Sequence, residues 1–387
     1  MYGENKNRIR LQEIFIRSGE EFRRDHLLSP VQTKAMKAIE QCRRAEMGSH
    51  SYRCQNCGNV EVVYNSCRNR HCPRCQWIKQ QLWVDHVKAQ LLPIRYFHIV
   101  FTIPEVLNPL IMLNHGPMYD FLFEASWHAL KKAANNPSFL GAQTGALAVL
   151  HTWGQTLTLH PHIHMLVPAG GLDQDGWQWV RSSKKFFVPV RALSRIFRAC
   201  YVRLLSEALR DGKLMLPEKH VEFKTPEGLK NELYKTDWVV YCKKCFAGPG
   251  QIITYLGRYT HRVAISENRI MEADDNHVLF RWKDYGDHNR QKQMTLNTKE
   301  FIRRFLLHIL PSGFYKIRYF GIFACVNRAT KLSQCFELLG CKPIQAVYAA
   351  LEMSTVIFLL TGKQINRCSI CGAELLRPLY PPPKQLF

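Results

Sequence analysis

A chain of 387 residues, 46% of them hydrophobic, is long enough to bury a full core and to divide into two or three domains. Lysine and arginine outnumber aspartate and glutamate 53 to 31, giving a formal charge of +22 and a pI near 9.5. A surplus of that size points to a polyanionic partner, because neutralising phosphates releases condensed counterions. The N-terminus lacks the apolar stretch of a secretory signal, and the most apolar run, 346–360, contains Glu352 and is too short to cross a bilayer. Secreted and membrane-spanning classes are set aside, and the expectation is a cytoplasmic, nucleoid-associated protein whose fourteen cysteines serve metal rather than disulfides.

Residues 8 to 47 read as helical, with Ser29-Pro30 having the form of an N-cap followed by proline at the first helical position. Arg23, Arg24, Lys34, Lys37, Arg43 and Arg44 on this segment fit a solvated face or a DNA-binding surface equally. Next come Cys54-Gln55-Asn56-Cys57-Gly58 and Cys72-Pro73-Arg74-Cys75, with fourteen residues between the pairs. Each pair can wrap a tight turn around one ion, and four thiolates, Cys54, Cys57, Cys72 and Cys75, complete the tetrahedron that structural zinc prefers. Cys67 and His71 are possible substitutes. Arg68, Arg70 and Arg74 lie among these ligands and are candidates to grip phosphates.

A helix is expected over 78–91, a strand over 96–103 stopped by Pro104, and a helix over 117–134. The run 145–151 reads as a strand ending in His151. It precedes Leu159-His160-Pro161-His162-Ile163-His164, where the alternation of a strand is expected to put the three histidines on one face while Leu159, Ile163 and Leu166 mostly pack the other way. Two imidazoles on one strand face are half of a divalent metal site; His162 and His164 are the natural pair, His151 the nearest third ligand, and His160 a substitute.

Farther on, 184–212 reads as a short strand and an arginine-rich helix, and 238–241 as a strand. Cys242 and Cys245 have no matching pair close by and are treated as incidental. Gly248-Pro249-Gly250 opens a helix on which Tyr255 and Tyr259 share a face, as do Arg258 and Arg262, which are placed to hold phosphate oxygens. Taken alone it is an ordinary amphipathic helix. A hairpin is expected from 263–266 and 277–282, helices at 298–310 and 328–361, with 346–360 buried, and Cys368-Ser369-Ile370-Cys371-Gly372 forms half of another knuckle, its partners open.

His-hydrophobic-His upstream of Tyr-x-x-x-Tyr, together with Phe101-Thr102-Ile103-Pro104, the run Tyr255 to Ser266 and the cysteines from 54 to 75, resembles the HUH endonuclease superfamily. Within it, the chain is similar to the two-tyrosine rolling-circle transposases of the insertion-sequence ninety-one family, over about residues 10 to 375. The resemblance implies an α+β fold: a small zinc-binding DNA-recognition domain within 1–92, an antiparallel-sheet nuclease core flanked by helices over 93–285, and a helical, basic region over 286–387. It implies that the 96–103 strand lies beside the histidine strand, which makes His98 a further ligand candidate. It also implies catalytic Mg or Mn at His151, His162 and His164, structural Zn at the cysteines, and nucleophilic attack on DNA by Tyr255 or Tyr259 to leave a 5′-phosphotyrosine link, with single-stranded DNA and the host replication machinery as partners. Which tyrosine attacks first is open. Two other readings are a zinc-dependent nucleic-acid-binding protein without catalysis, and an HUH replication initiator or relaxase. Binding alone needs neither the histidine pair nor the tyrosine pair, and the N-terminal zinc module without a helicase region favours the transposase.

Overall fold

The computed structural model describes residues 9–182, 188–244, 249–260 and 264–375; the side chains of residues 249, 252, 255 and 258–260 fall outside that description. Two units result, each discontinuous in sequence: 1–86 with 261–309 and 345–387, and 87–260 with 310–344. They cut across the three consecutive segments expected from sequence, because the stretch 286–387 divides between both units.

In the first unit, α1 (Leu11–Asp25) buries Leu11, Ile14, Phe15, Ser18 and Phe22, the stripe of a helix apolar on one side. Helix α2 (Pro30–Gln41) opens on a capping box: Gln32 N donates to Ser29 Oγ at 3.3 Å, and Ser29 N donates to Gln32 Oε1 at 3.0 Å. An antiparallel ribbon of β1 (Ser49–Arg53) and β2 (Val60–Tyr64) follows, then α3 (Pro73–Ala89).

The second unit carries β3 (Tyr96–Thr102), α4 (Asn108–Leu113), α5 (His115–Asn135), β4 (Gly145–Trp153), β5 (Leu159–Pro168), the ribbon β6 (Gly170–Leu172) and β7 (Trp179–Arg181), α6 (Val190–Arg210), α7 (Pro226–Tyr234), β8 (Val240–Lys244) and α8 (Pro249–Thr260). The chain returns to the first unit for a three-stranded antiparallel sheet, β9 (Ile270–Ala273), β10 (His277–Asp284) and β11 (Arg290–Asn297), capped by α9 (Thr298–Leu306). It re-enters the second unit for β12 (Ile317–Gly321) and α10 (Ser333–Leu338), and α11 (Met353–Thr361) belongs to the first.

A five-stranded sheet in the order β12-β4-β5-β3-β8, every pair antiparallel, organises the second unit. Phe97, Ile99 and Phe101 of β3, Ala146, Ala148 and Leu150 of β4, and Ile163, Met165 and Val167 of β5 turn one face into a core shared with α5 and α6. Alternation therefore sends His98, His151, His162 and His164 to the other face with Leu147, and Leu166, two residues past His164, lies with them rather than with Leu159 and Ile163 as expected. Helix α8 packs against β4. A Cβ built on its Gly250 would lie 3.7 Å from Lys88 Cε, at the end of α3. Val87 of α3, with Gln90 and Leu91 just after the helix, lines a crevice with Leu147 and Leu166.

Several expected elements are revised. The hairpin is β10 with β11, joined by β9, rather than 263–266 with 277–282. Strand β12, which the sequence reading passed over, pairs Ile317 with Val149 through Gly321 with Gly145 and closes the sheet edge. The span 328–361 is not one helical region, since α10 and α11 are separated by irregular chain. The apolar run 346–360 is not a buried helix: in α11 only Val356 is buried, and Met353, Phe358 and Leu359 are exposed. Residues 185–187 of the expected strand lie outside the described residues.

Candidate functional site

Cross-strand register assembles a histidine triad. His151 of β4 stands directly opposite His162 of β5, and His164 follows two residues along the same face. The three side chains each offer a nitrogen within 4.8 Å of the others, with ring centroids 4.1 to 5.2 Å apart. His151 and His164 are buried and His162 is half-buried.

Two of the rings are oriented from behind. His162 Nδ1 lies 2.7 Å from the carbonyl oxygen of His160, so Nδ1 carries the proton and donates, and Nε2 is the nitrogen offered to a metal. His164 Nδ1 lies 2.7 Å from Nε2 of His98, the two rings stacked nearly parallel. His98 is thus a neighbour that positions a triad member, one strand over on β3, rather than a member of the triad itself. His160 also stands apart, its Nδ1 3.7 Å from Glu105 Oε1.

Burial pulls His98 and His162 down to about 4 and holds His151 and His164 well below the ordinary histidine value, with mutual repulsion among the rings adding to it in the triad. All four are therefore neutral near pH 7, the protonation state a metal requires. Three imidazoles fit a transition-metal ion such as Mn better than Mg, which prefers oxygen ligands.

The cysteines do not form the single expected site. Cys72 and Cys75 converge with Cys67 and Cys42, with Sγ···Sγ distances of 3.4 Å for Cys42 to Cys75, 3.5 Å for Cys67 to Cys75 and 3.7 Å for Cys72 to Cys42. Cys54 and Cys57 instead meet Cys368 and Cys371. The correction has a geometric cause: the β1–β2 ribbon separates Cys54-Cys57, at its tip, from Cys42 and Cys67, which flank its base. Cys67 is a ligand candidate after all. His71 is not, its ring bonded to Asn69 Oδ1 at 3.2 Å and outside both clusters.

Cys42 belongs to no Cys-x-x-Cys pair and stands alone after α2. The signal that could have found it is arithmetic: two solitary cysteines, 42 and 67, complete what one pair, 72 and 75, leaves short. Hydrogen bonds from Cys42, Cys67 and Cys72 hold the Cys75 thiol far below its ordinary value, favouring the thiolate that binds zinc. Gln12 braces the site, its Nε2 donating to Cys42 O at 2.8 Å while its Oε1 accepts from Arg74 Nη1 at 3.0 Å.

The expected phosphate-gripping arginines are differently placed. Arg68 is exposed, Arg70 is half-buried with its guanidinium pulled down by burial, and Arg74 is engaged by Gln12. On the second sheet, Lys292 is paired with Asp284 at 2.8 Å and Asp287 at 3.0 Å rather than left open. The side chains of Tyr255, Arg258 and Tyr259, and all of His261, Arg262 and Cys245, lie outside the described residues.

Set against known proteins, residues 145–330 match the family described as "Putative transposase" and residues 14–103 the family described as "Transposase zinc-binding domain". The first range contains the histidine triad and α8, the second the Cys42 cluster. These two matches show a transposase with an N-terminal zinc-binding domain. The chain is 45% identical over 365 residues to "Putative transposase y4qJ" of Sinorhizobium fredii, covering 93% of this chain and 92% of that one. It is 28% identical over 360 residues to "Transposase for insertion sequence element IS801" of Pseudomonas savastanoi pv. phaseolicola, covering 90% and 84%. The protein belongs to the insertion-sequence ninety-one family of transposases. No solved structure matches it. Among the described residues, no helix is long and apolar enough to cross a membrane.

Proposed function

We propose that this transposase is an HUH-type tyrosine endonuclease that cuts and rejoins single-stranded DNA, with Tyr255 and Tyr259 as nucleophiles and His151, His162 and His164 as ligands of Mn or Mg. The observation that carries this reading is the packing of α8, the helix whose sequence holds both tyrosines, against β4, the strand holding His151. His151, His162 and His164 would hold a divalent cation, which would supply positive charge beside the scissile phosphate.

The remaining work falls to the chain. A phenolic oxygen bonds to phosphorus, the bond from phosphorus to the 3′ oxygen breaks, and that oxygen leaves with a proton as a free 3′-hydroxyl. The phenol, with an ordinary pKa of about 10, gives up its own proton on attack. The product is a 5′-phosphotyrosine whose formation conserves the bond, so later attack by a 3′-hydroxyl rejoins DNA without ATP. His98 and the His160 carbonyl hold the imidazoles in place while charge develops.

Two tyrosines allow donor and target strands to be held in turn, which is the requirement of rolling-circle transposition. Arg258 and Arg262 on the tyrosine segment, with the exposed Arg68 in the zinc module, serve as phosphate contacts. The partners are single-stranded DNA of the element ends and target, and the host replication machinery that extends the free 3′ end, with the protein working at the nucleoid in the cytoplasm.

The test is incubation with end-labelled single-stranded DNA and Mn, followed by a denaturing gel. A covalent protein–DNA adduct is expected from the native chain and none from the Tyr255→Phe/Tyr259→Phe double variant, with binding retained. A native chain that binds DNA but never forms an adduct is instead a non-catalytic, zinc-dependent binder.

A further inference from the structure

Cys368 and Cys371 lie outside both matched ranges, 14–103 and 145–330, yet they close on Cys54 and Cys57. Cys54 Sγ is 3.4 Å from Cys371 Sγ, Cys57 Sγ is 3.6 Å from Cys368 Sγ, and all four sulfurs lie within 4.8 Å of one another. A zinc ion at about 2.3 Å from each of four thiolates sets them about 3.8 Å apart at the corners of a tetrahedron. The observed spacing is that of ligands around one ion, and too long for bonded sulfurs, which sit about 2.0 Å apart.

The two halves are built alike. In the first, Gly58 N donates to Cys54 O at 3.0 Å and Cys54 N to Asn59 O at 2.8 Å; in the second, Gly372 N donates to Cys368 O at 3.0 Å and Cys368 N to Ala373 O at 2.8 Å. Gly58 and Gly372 turn the chain at φ of +71° and +73°, with open space where a Cβ would go, so each is required for its backbone angle rather than for room. From the first turn, Asn59 Nδ2 reaches across to Cys368 Sγ at 3.7 Å. Donors of this kind stabilise thiolates.

The halves are also joined independently of sulfur. Cys54 makes an antiparallel bridge to Leu375, and Ser369 N donates to Glu61 Oε1 at 2.6 Å.

We propose that Cys54, Cys57, Cys368 and Cys371 form a second structural zinc centre, assembled from two matching knuckles 311 residues apart, that staples the C-terminal segment to the N-terminal β1–β2 ribbon. The C-terminal knuckle is then an integral part of the zinc module. This centre is independent of the nuclease reading and survives its failure.

The test uses the full-length chain and two thiol-specific readouts, since the histidine triad can also take up zinc. Under alkylation with mass-spectrometric mapping, both cysteine sets are expected to be protected until a chelator is added. In Cys368→Ser/Cys371→Ser, Cys54 and Cys57 are expected to label while Cys42, Cys67, Cys72 and Cys75 stay protected. In cobalt-exchanged protein, the thiolate-to-cobalt charge-transfer band is expected to fall by half in the same variant, and Cys371→His, which keeps a ligand, is expected to restore protection of Cys54 and Cys57. Free labelling of Cys54, Cys57, Cys368 and Cys371 in the native chain, or a cobalt band unchanged by the double substitution, overturns the proposal. The native labelling pattern decides the matter whatever the stability of the variants.

Discussion

His98 illustrates how a residue outside the triad governs one inside it. Its Nε2 holds His164 Nδ1 at 2.7 Å, so the rotation of that ring is fixed by a partner on the neighbouring strand. His98→Ala is expected to weaken Mn binding about 10- to 100-fold, measured by calorimetric titration; an unchanged affinity would show that His164 needs no brace. The same burial that keeps these rings neutral makes the fold sensitive to acid. Because the folded values of His98 and His162 sit at about 4 against 6.5 when unfolded, the unfolded chain binds more protons between those limits. Stability is therefore complete above pH 6.5 and lost as the pH falls toward 4. The Tm of metal-free protein is expected to drop across that window, less steeply in His151→Gln, and a Tm equally steep in that variant would remove the triad as the cause.

At the scale of the elements, the sheet depends on one strand contributed late in the chain. β12 lies against β4 through Gly321 and Gly145, and a Cβ on Gly321 would sit 2.1 Å from Thr144 O at a φ of +59°. Both the angle and the space demand glycine there. Gly321→Ala is expected to cost about 2–3 kcal/mol of stability in denaturant unfolding, and because β12 borders the strand bearing His151, the same variant should loosen Mn binding. A loss below about 0.5 kcal/mol, the usual range of surface substitutions, would mean the edge can shift to make room. Element α2 shows the opposite case, in which Ser29, Pro30 and Gln32 carry their own start signal and need no distant partner.

For the whole molecule, the surplus of positive charge is the property most directly tied to DNA, and ion pairs leave it intact, because their carboxylates are already subtracted in the +22. Arg23 is paired with Glu40, Arg303 and Arg304 with Glu300, Arg318 with Asp120 and Lys292 with Asp284 and Asp287. Affinity for a single-stranded oligonucleotide is expected to fall with a slope of about −3 or steeper in a plot of log K against log salt, each phosphate contact contributing about −0.7. A slope near zero would mean that the net charge of +22 serves something other than nucleic acid.

What was legible in the sequence follows the range of the forces involved. Local rules were sufficient for α2, for the start of α8 at Pro249 and for the histidine face of β5, because a cap, a turn and period-two alternation act within a few residues. The residue types alone announced metal at the cysteines. Which cysteines share an ion was a different matter, since Cys-x-x-Cys spacing specifies half a site and says nothing of what the other half is. Pairing Cys54-Cys57 with Cys368-Cys371, and Cys72-Cys75 with Cys42 and Cys67, required the chain to fold back over hundreds of residues in one case and to bring the two ends of a ribbon together in the other. The same holds for His98 and β12, whose places are set by hydrogen bonding between strands far apart in sequence. Short-range geometry is written in neighbouring side chains; long-range partnership exists only once burial and strand pairing have chosen among many equally spaced candidates.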